Sequence, residues 1–358
     1  MNSYDILLGS GHLARLGQEI KRLQLGTHAV ILTNPTIQRA SGLTRQAAAS
    51  IRRAGFEVKS MTIPDTERSK SFTMLGTVLS RLASWDGPGR KLFLVLIGGG
   101  VVGDLGGVAA GIYRRGIPFV QVPTTLLAQV DSSIGGKTGI DLPHGKNLVG
   151  LFVQPRLVFI DLEFLKTLPD RQFRSGLAEV VKCAVIRDAA LFRFLEATPL
   201  SALRSSTNRL GWVISRAILV KRWAVEQDEK ETRSIRTLLN FGHTFGHALE
   251  AATRYGTAYT HGEAVSVGMK VAADIALRLN KIGDSELEKI QGLLRHAGLP
   301  QTVRGVKEAD LLKAMAQDKK WSIGRNRWVL PTGIGRAIVQ TGVPDRIVRL
   351  SIRSVLER

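Results

Sequence analysis

Partway along the chain the hydrophobic period changes, and two kinds of architecture follow from that change. As far as about Leu168, short apolar runs closed by turn residues alternate with stretches of helical period. Residues 28–33 (HAVILT), 91–97 (KLFLVLI), 119–122 and 157–160 (LVFI) read as strands that are apolar on both sides. Such runs belong in a parallel sheet covered by helices on both faces. Residues 42–54 and 72–83 carry apolar side chains at helical spacing between these strands. Beyond that point, residues 176–195, 209–227, 261–279 and 284–297 keep the 3.6-residue period, with few strand runs. The expectation is an α/β domain over 1–170 followed by a mostly α-helical domain over 171–358, each long enough to bury its own core.

Composition narrows the class. With 44% hydrophobic and 22% charged residues the chain is built to fold. No run approaches the ~18 to 20 apolar residues of a membrane span, and residues 1–9 lack the basic-then-apolar layout of a signal peptide. A single cysteine, Cys183, sits among Val180, Val181, Ala184 and Val185. It cannot form an internal disulfide, which points to a buried thiol and a cytoplasmic location. The formal charge of +20 raises nucleic-acid binding as one reading. The basic residues are spread along the whole length, however, and aromatics are only 6%, so stacking platforms are few. A pocket for a small, multiply anionic molecule fits the charge better.

Three segments carry candidate chemistry. After the strand at 91–97 comes Gly98-Gly99-Gly100-Val101-Val102-Gly103-Asp104, which satisfies GxGxxG. Such glycines let the backbone approach a pyrophosphate, and the helix that follows offers its N–H groups. The acid expected about 20 residues later for a ribose is missing, since the chain there reads Gln121-Val122-Pro123-Thr124. A polar stretch follows, with Gly135-Gly136-Lys137-Thr138-Gly139 and His144-Gly145-Lys146-Asn147. It lacks the first glycine of a P-loop but sets two lysines on glycine-rich turns, suited to a phosphate or carboxylate. In the helical half, His243 and His247 stand at i and i+4 on one face, the spacing of paired zinc ligands, with His261 and Glu263 close behind. Glu179 and Lys182 share one face of an apolar helix, and the apolar flanks favour a semi-buried carboxylate. Asp228-Glu229-Lys230-Glu231 reads by default as a solvated helix face.

These motifs stand in the order GGGVVGD, RRGIPFVQVPTTLLAQVDSSIGGKTG, HGKNLVG, FLKTLP, GLAEVVK, DEKE, LNFGHTFGHALE, HGEAV and DKK. In that order the chain closely resembles the 3-dehydroquinate synthases, sugar-phosphate cyclases of the shikimate pathway, over nearly its whole length. The resemblance implies an N-terminal Rossmann-like NAD-binding domain and a helical metal-binding domain. It implies zinc, or cobalt in its place, on Glu179, His243 and His261, with His247 turned to the substrate. NAD contacts would come from Asp65, Thr66, Glu67, Arg68, Ser69 and Lys70, and from Gly100, Val101, Val102, Gly103 and Asp104. Thr124, Thr125, Lys137, Lys146, Phe164, Leu165, Lys166 and Thr167 would complete them, and Glu67 would serve the ribose in place of the missing acid. Asp131, Lys182, Lys221, Glu231 and His247 would be catalytic. Lys137, Asn147, Arg236, Asn240 and one of Lys319 or Lys320 would bind substrate, and Arg115 would reach the neighbouring site of a homodimer. The loop from Glu231 to Arg236 is one residue longer than the family's pattern, and Cys183 replaces a common aromatic.

The implied reaction takes 3-deoxy-arabino-heptulosonate 7-phosphate to 3-dehydroquinate and phosphate. A hydride passes to NAD, phosphate is eliminated, the hydride returns, and an aldol step closes the carbocycle. A substrate bearing both carboxylate and phosphate accounts for the many implied lysines and arginines. Competing expectations are a sister cyclase making an inosose or a valiolone, a metal-dependent polyol dehydrogenase, and, more remotely, a nucleic-acid-binding protein.

Overall fold

A computed structural model describes residues 4–40, 42–317 and 326–357. The chain forms two compact units, Met1–Pro169 and Asp170–Arg358.

In the first unit, strands β1 (Asp5–Gly9), β2 (His28–Thr33), β3 (Glu57–Thr62), β4 (Leu92–Gly98), β5 (Phe119–Pro123) and β8 (Leu157–Asp161) form one sheet in the order β1-β8-β5-β4-β2-β3. Every pairing in it is parallel. Alternation along the strands loads both faces. Leu92, Leu94 and Leu96 of β4 join Val30 and Leu32 in one apolar cluster, while Phe93, Val95 and Ile97 join Ala29 and Ile31 in the other. This double burial is why residues 92–97 are continuously apolar. The chain leaves adjacent strands β2 and β4 toward opposite edges, so the turn after β4 lies at the switch point where open parallel sheets bind ligands.

Strands β1 and β3 escape the sequence reading. Both lie at the sheet edges, and β3 (EVKSMT) is largely exposed and polar. The polar stretch read as glycine-rich turns becomes a π-helical turn, Ala128–Ser132, followed by an antiparallel hairpin of β6 (Lys137–Leu142) and β7 (Gly145–Phe152). Lys137 and Lys146 thus stand on strands.

Among the described residues the second unit is mainly helical, with one hairpin, β9 (Arg327–Gly333) with β10 (Arg336–Thr341), which the sequence reading lacks. Helix His261–Arg278 is buried almost all round from Ala264 to Ala276 and forms the unit's central rod. The helical period at 176–195 belongs to two helices, Asp170–Arg187 and Ala189–Ala197. The break falls at Asp188, whose carboxylate caps the second helix by accepting from Leu191 N at 3.0 Å. Cys183 is buried in the first of these helices. No described helix is long and apolar enough to cross a membrane.

Candidate active site

The glycine-rich turn of the first unit opens helix Gly100–Ile112 directly off β4, with Gly99 extended and no side chain capping the start. The first-turn amides of such a helix lack intrahelical acceptors, which makes this end a cradle for an anion. Val102 goes into the core, as do Phe164 and Leu165 of the short 3-10 helix Leu162–Thr167, leaving mainly backbone at these positions. Lys166 is exposed and pairs with Glu163 at 2.8 Å, and Thr167 donates to Phe164 O at 3.4 Å. Asp65, Thr66 and Arg68 are exposed, while Ser69 is buried and donates to Pro64 O at 2.8 Å. Thr124 is buried, and Thr125 caps the following turn through Ala128 N at 3.1 Å.

One charged knot stands in this unit. Buried Lys70 donates to Asp104 at 2.8 Å and to Asn147, and lies 3.5 Å from Glu67 and 3.8 Å from Asp141. Lys146 approaches the same Glu67 carboxylate at 3.5 Å. Burial works against the Lys70 ammonium, but Asp104 and Glu67 outweigh it and hold it above the ordinary lysine range. Burial keeps the Asp104 carboxyl raised even beside Lys70. Asn147, assigned to substrate by the resemblance, joins this knot on a left-handed backbone (φ 53°). Lys137 is exposed, Asp131 is half-buried in the π-helical turn, and Arg115 is exposed at φ 64°.

In the second unit three helices converge on one point. Glu179 lies wholly buried in helix Asp170–Arg187, His243 opens helix His243–Ala252, and His261 opens the central helix. Two glycines allow the approach. A Cβ on Gly262 would sit 1.9 Å from the Ser175 carbonyl oxygen, and one on Gly268 would sit 1.9 Å from the Gly242 oxygen. Glu263, next in sequence, does not join the cluster. Its carboxylate accepts from Thr260 N in a capping box and from Arg171 at 2.9 and 2.7 Å.

Glu179 Oε1 lies 3.7 Å from His243 Nε2 and 3.5 Å from His261 Nε2, and this buried oxygen has no hydrogen-bond partner. Each imidazole turns its other nitrogen to an acceptor. His243 Nδ1 donates to Phe241 O at 3.2 Å, and His261 Nδ1 donates to Glu250 Oε2 at 3.3 Å. Both Nε2 atoms are thereby directed inward, each with a lone pair to offer once its ring is neutral. Ligand atoms around a tetrahedral zinc with bonds of about 2.0–2.1 Å stand roughly 3.3 Å apart, so the donor set and spacing fit the ion with slight closure. The other Glu179 oxygen pairs with buried Lys182. Burial would raise the Glu179 carboxyl, but Lys182 and the two imidazoles hold it well below the usual range. Burial keeps His243 well below the ordinary imidazole value, hence neutral. Burial also lowers His261, but Glu250 and Glu179 prevail and push it up to about 10, so its Nε2 carries a proton near neutral pH that an incoming cation displaces.

His247 is exposed, with its ring perpendicular to that of His243 at 5.3 Å. A second potential ligand group contains His247, Glu250 and His261, so the i, i+4 histidine pair does not occur together in either group among the described residues. Lys221 and Arg236 are buried. The charge run at 228–231 is no solvated helix face. Asp228 is buried at the end of helix Thr207–Gln227 and accepts from Thr232, Arg233 and Arg236 amides at 2.7, 3.0 and 3.3 Å. Those bonds shape a loop in which Glu231, at φ 58°, accepts from Asn240 Nδ2 at 3.1 Å, and Arg236 donates to Glu229 O at 2.5 Å. Lys319 and Lys320 lie outside the described residues. Sequence reasoning missed Glu250 and Asp228, and the signal for Glu250 was a lone acid at i+3 from His247 in an apolar helix.

A family model for the N-terminal region of 3-dehydroquinate synthase matches residues 60–175, and one for its C-terminal region matches 176–321. A 3-dehydroquinate synthase of Pelobacter propionicus is 43% identical over 350 residues, covering 98% of this chain and 96% of the relative. Among solved structures, 2-epi-5-epi-valiolone synthase of Streptomyces hygroscopicus, with NAD+ and Zn2+ bound, superposes with a TM-score of 0.90 at 29% identity, covering 99% of this chain and 97% of that one. A 2-deoxy-scyllo-inosose synthase complexed with carbaglucose-6-phosphate, NAD+ and Co2+ superposes with a TM-score of 0.87 at 28% identity and the same coverage. The glycine-rich turn, the buried glutamate with two inward-facing imidazoles, and a match running through both halves agree: the chain belongs to the 3-dehydroquinate synthase family.

Proposed function

We propose that this chain converts 3-deoxy-arabino-heptulosonate 7-phosphate to 3-dehydroquinate and phosphate, dividing the work between its two units. The observation that carries the reading is the unpartnered Glu179 oxygen facing two Nε2 atoms whose tautomers are fixed from behind. Glu179, His243 and His261 would hold zinc, or cobalt as in one structural relative. The helix start at Gly100–Asp104, the 65–70 loop and Thr124–Thr125 would hold NAD, with Glu67 offered to a ribose. When bound, zinc lowers the pKa of a substrate hydroxyl, and NAD takes up and returns a hydride.

The remaining work belongs to side chains. Lys221, Arg236, Asn240 and Lys137 supply donors for carboxylate and phosphate, with Lys319 or Lys320 a further ammonium. Lys182 keeps Glu179 ionised, and so able to bind a cation, even where burial favours the neutral acid. His247, exposed beside the cluster, is placed to move a substrate proton, and Asp131 and Glu231 are further carboxylates for that role. The exposed Arg115 suits a contact across a homodimer, and the single buried cysteine suits a reducing cytoplasm.

The test supplies the heptulosonate phosphate, NAD and zinc and follows phosphate release together with the cyclic product. Absence of release, or release indifferent to prior chelation, overturns the reading. Two variants separate the histidine roles. His261→Ala should lose zinc, whereas His247→Ala should keep zinc and lose turnover by about 100-fold or more. The sister substrates are the control for specificity, because the superposed inosose and valiolone synthases share this fold.

A further inference from the structure

The two imidazoles that face Glu179 are held from behind by unlike groups. His243 is buried, and its Nδ1–H meets a neutral backbone carbonyl. His261 is about a third exposed, so packing holds its ring less firmly than that of His243, although each opens its own helix. Its Nδ1–H meets the carboxylate of Glu250, a residue only 5% exposed, two turns beyond His243 on the same helix.

We propose that Glu250 is a positioning residue for the metal centre. Its carboxylate fixes the Nδ1–H tautomer of His261, aims Nε2 at the point shared with Glu179 Oε1, and makes this imidazole the stronger nitrogen donor. The proposal rests on the zinc reading above. An N–H bonded to a carboxylate carries more charge assistance than one bonded to an amide oxygen, so electron density at the opposite ring nitrogen rises. The same bond supplies His261 with the orientation that His243 obtains from packing. Glu250 itself need not touch the ion.

The experiment titrates the metal-free full chain with zinc against a chromophoric chelator. It also titrates with Co2+ while reading visible absorption, and records metal-free melting temperatures. Wild type, His261→Ala, Glu250→Gln and Glu250→Ala are compared. Wild type should bind and His261→Ala should not; if these two bind alike, the zinc reading itself has failed. Given that difference, Glu250→Gln should weaken zinc by about 10-fold and Glu250→Ala by about 100-fold, with a shifted cobalt band in both. Glu250→Gln keeps the size and an acceptor oxygen but not the charge, so it decides the matter if the alanine variant fails to fold. The proposal is overturned if Glu250→Gln binds zinc within about twofold of wild type. It is equally overturned if metal-free stability falls in step with affinity, which is what a merely structural ion pair would give.

Discussion

The two units solve different recognition problems with different materials. In the first, the turn after β4 offers backbone amides, and a knot of Glu67, Asp104, Asp141, Asn147 and Lys146 around buried Lys70 supplies mixed charge. In the second, the ligand atoms come from side chains on three helices, sealed by crossings too close for any Cβ at Gly262 or Gly268. A large anionic cofactor can be gripped by many weak donors along an open edge. A small cation needs a few donors held to tenths of an ångström. Charge balance therefore governs the first site and helix spacing the second.

Lys70→Met would test that contrast most severely. It leaves Asp104 and its neighbouring carboxylates uncompensated around a buried position, at a cost of about 3 kcal/mol. Hydrogen exchange should show the loss in residues 4–169 while the zinc titration stays unchanged; a shift in zinc affinity would break the division. Gly262→Val should do the reverse. Its side chain must displace the Ser175 backbone, costing about 1–3 kcal/mol and weakening zinc while NAD affinity, read by fluorescence, holds. The smallest effect concerns Glu263→Gln, which removes the capping box carboxylate and the Arg171 pair, about 1 kcal/mol near neutral pH. Although burial opposes it, Arg171 and the Thr260 amide hold the Glu263 carboxyl below 4.5 in the fold. Its contribution is thus present above pH 4.5 and is lost as pH falls through the depressed folded value. Melting temperatures of wild type and variant should converge in acid; a constant gap down to low pH would refute this assignment.

Legibility in the sequence followed burial. Strands β2, β4, β5 and β8 were readable because both faces are covered, which leaves uninterrupted apolar runs. Edge strand β3 alternates polar residues, and β9 contains Pro331, which argues against a strand, so neither stood out. The break at Asp188 was invisible because Asp followed by two alanines fits a continuous helix as well as a cap. At the second site, spacing alone favoured His243 with His247, since a helix period carries no information about a neighbouring helix. Motif order named Glu179 and His261 in addition, and the structure brings their ligand atoms together with those of His243 to within 4.8 Å of one another. Asp228 and Glu250 act through loop amides and a ring nitrogen that only the folded chain sets beside them.

The lone cysteine gives the second unit a built-in clock. Cys183 is buried one helical turn past Glu179, and the chain has no other thiol. A buried thiol reacts with a reagent only when its surroundings open. The rate of its modification therefore counts the openings of the helix that carries Glu179, in unaltered protein and with no competing signal from elsewhere in the chain.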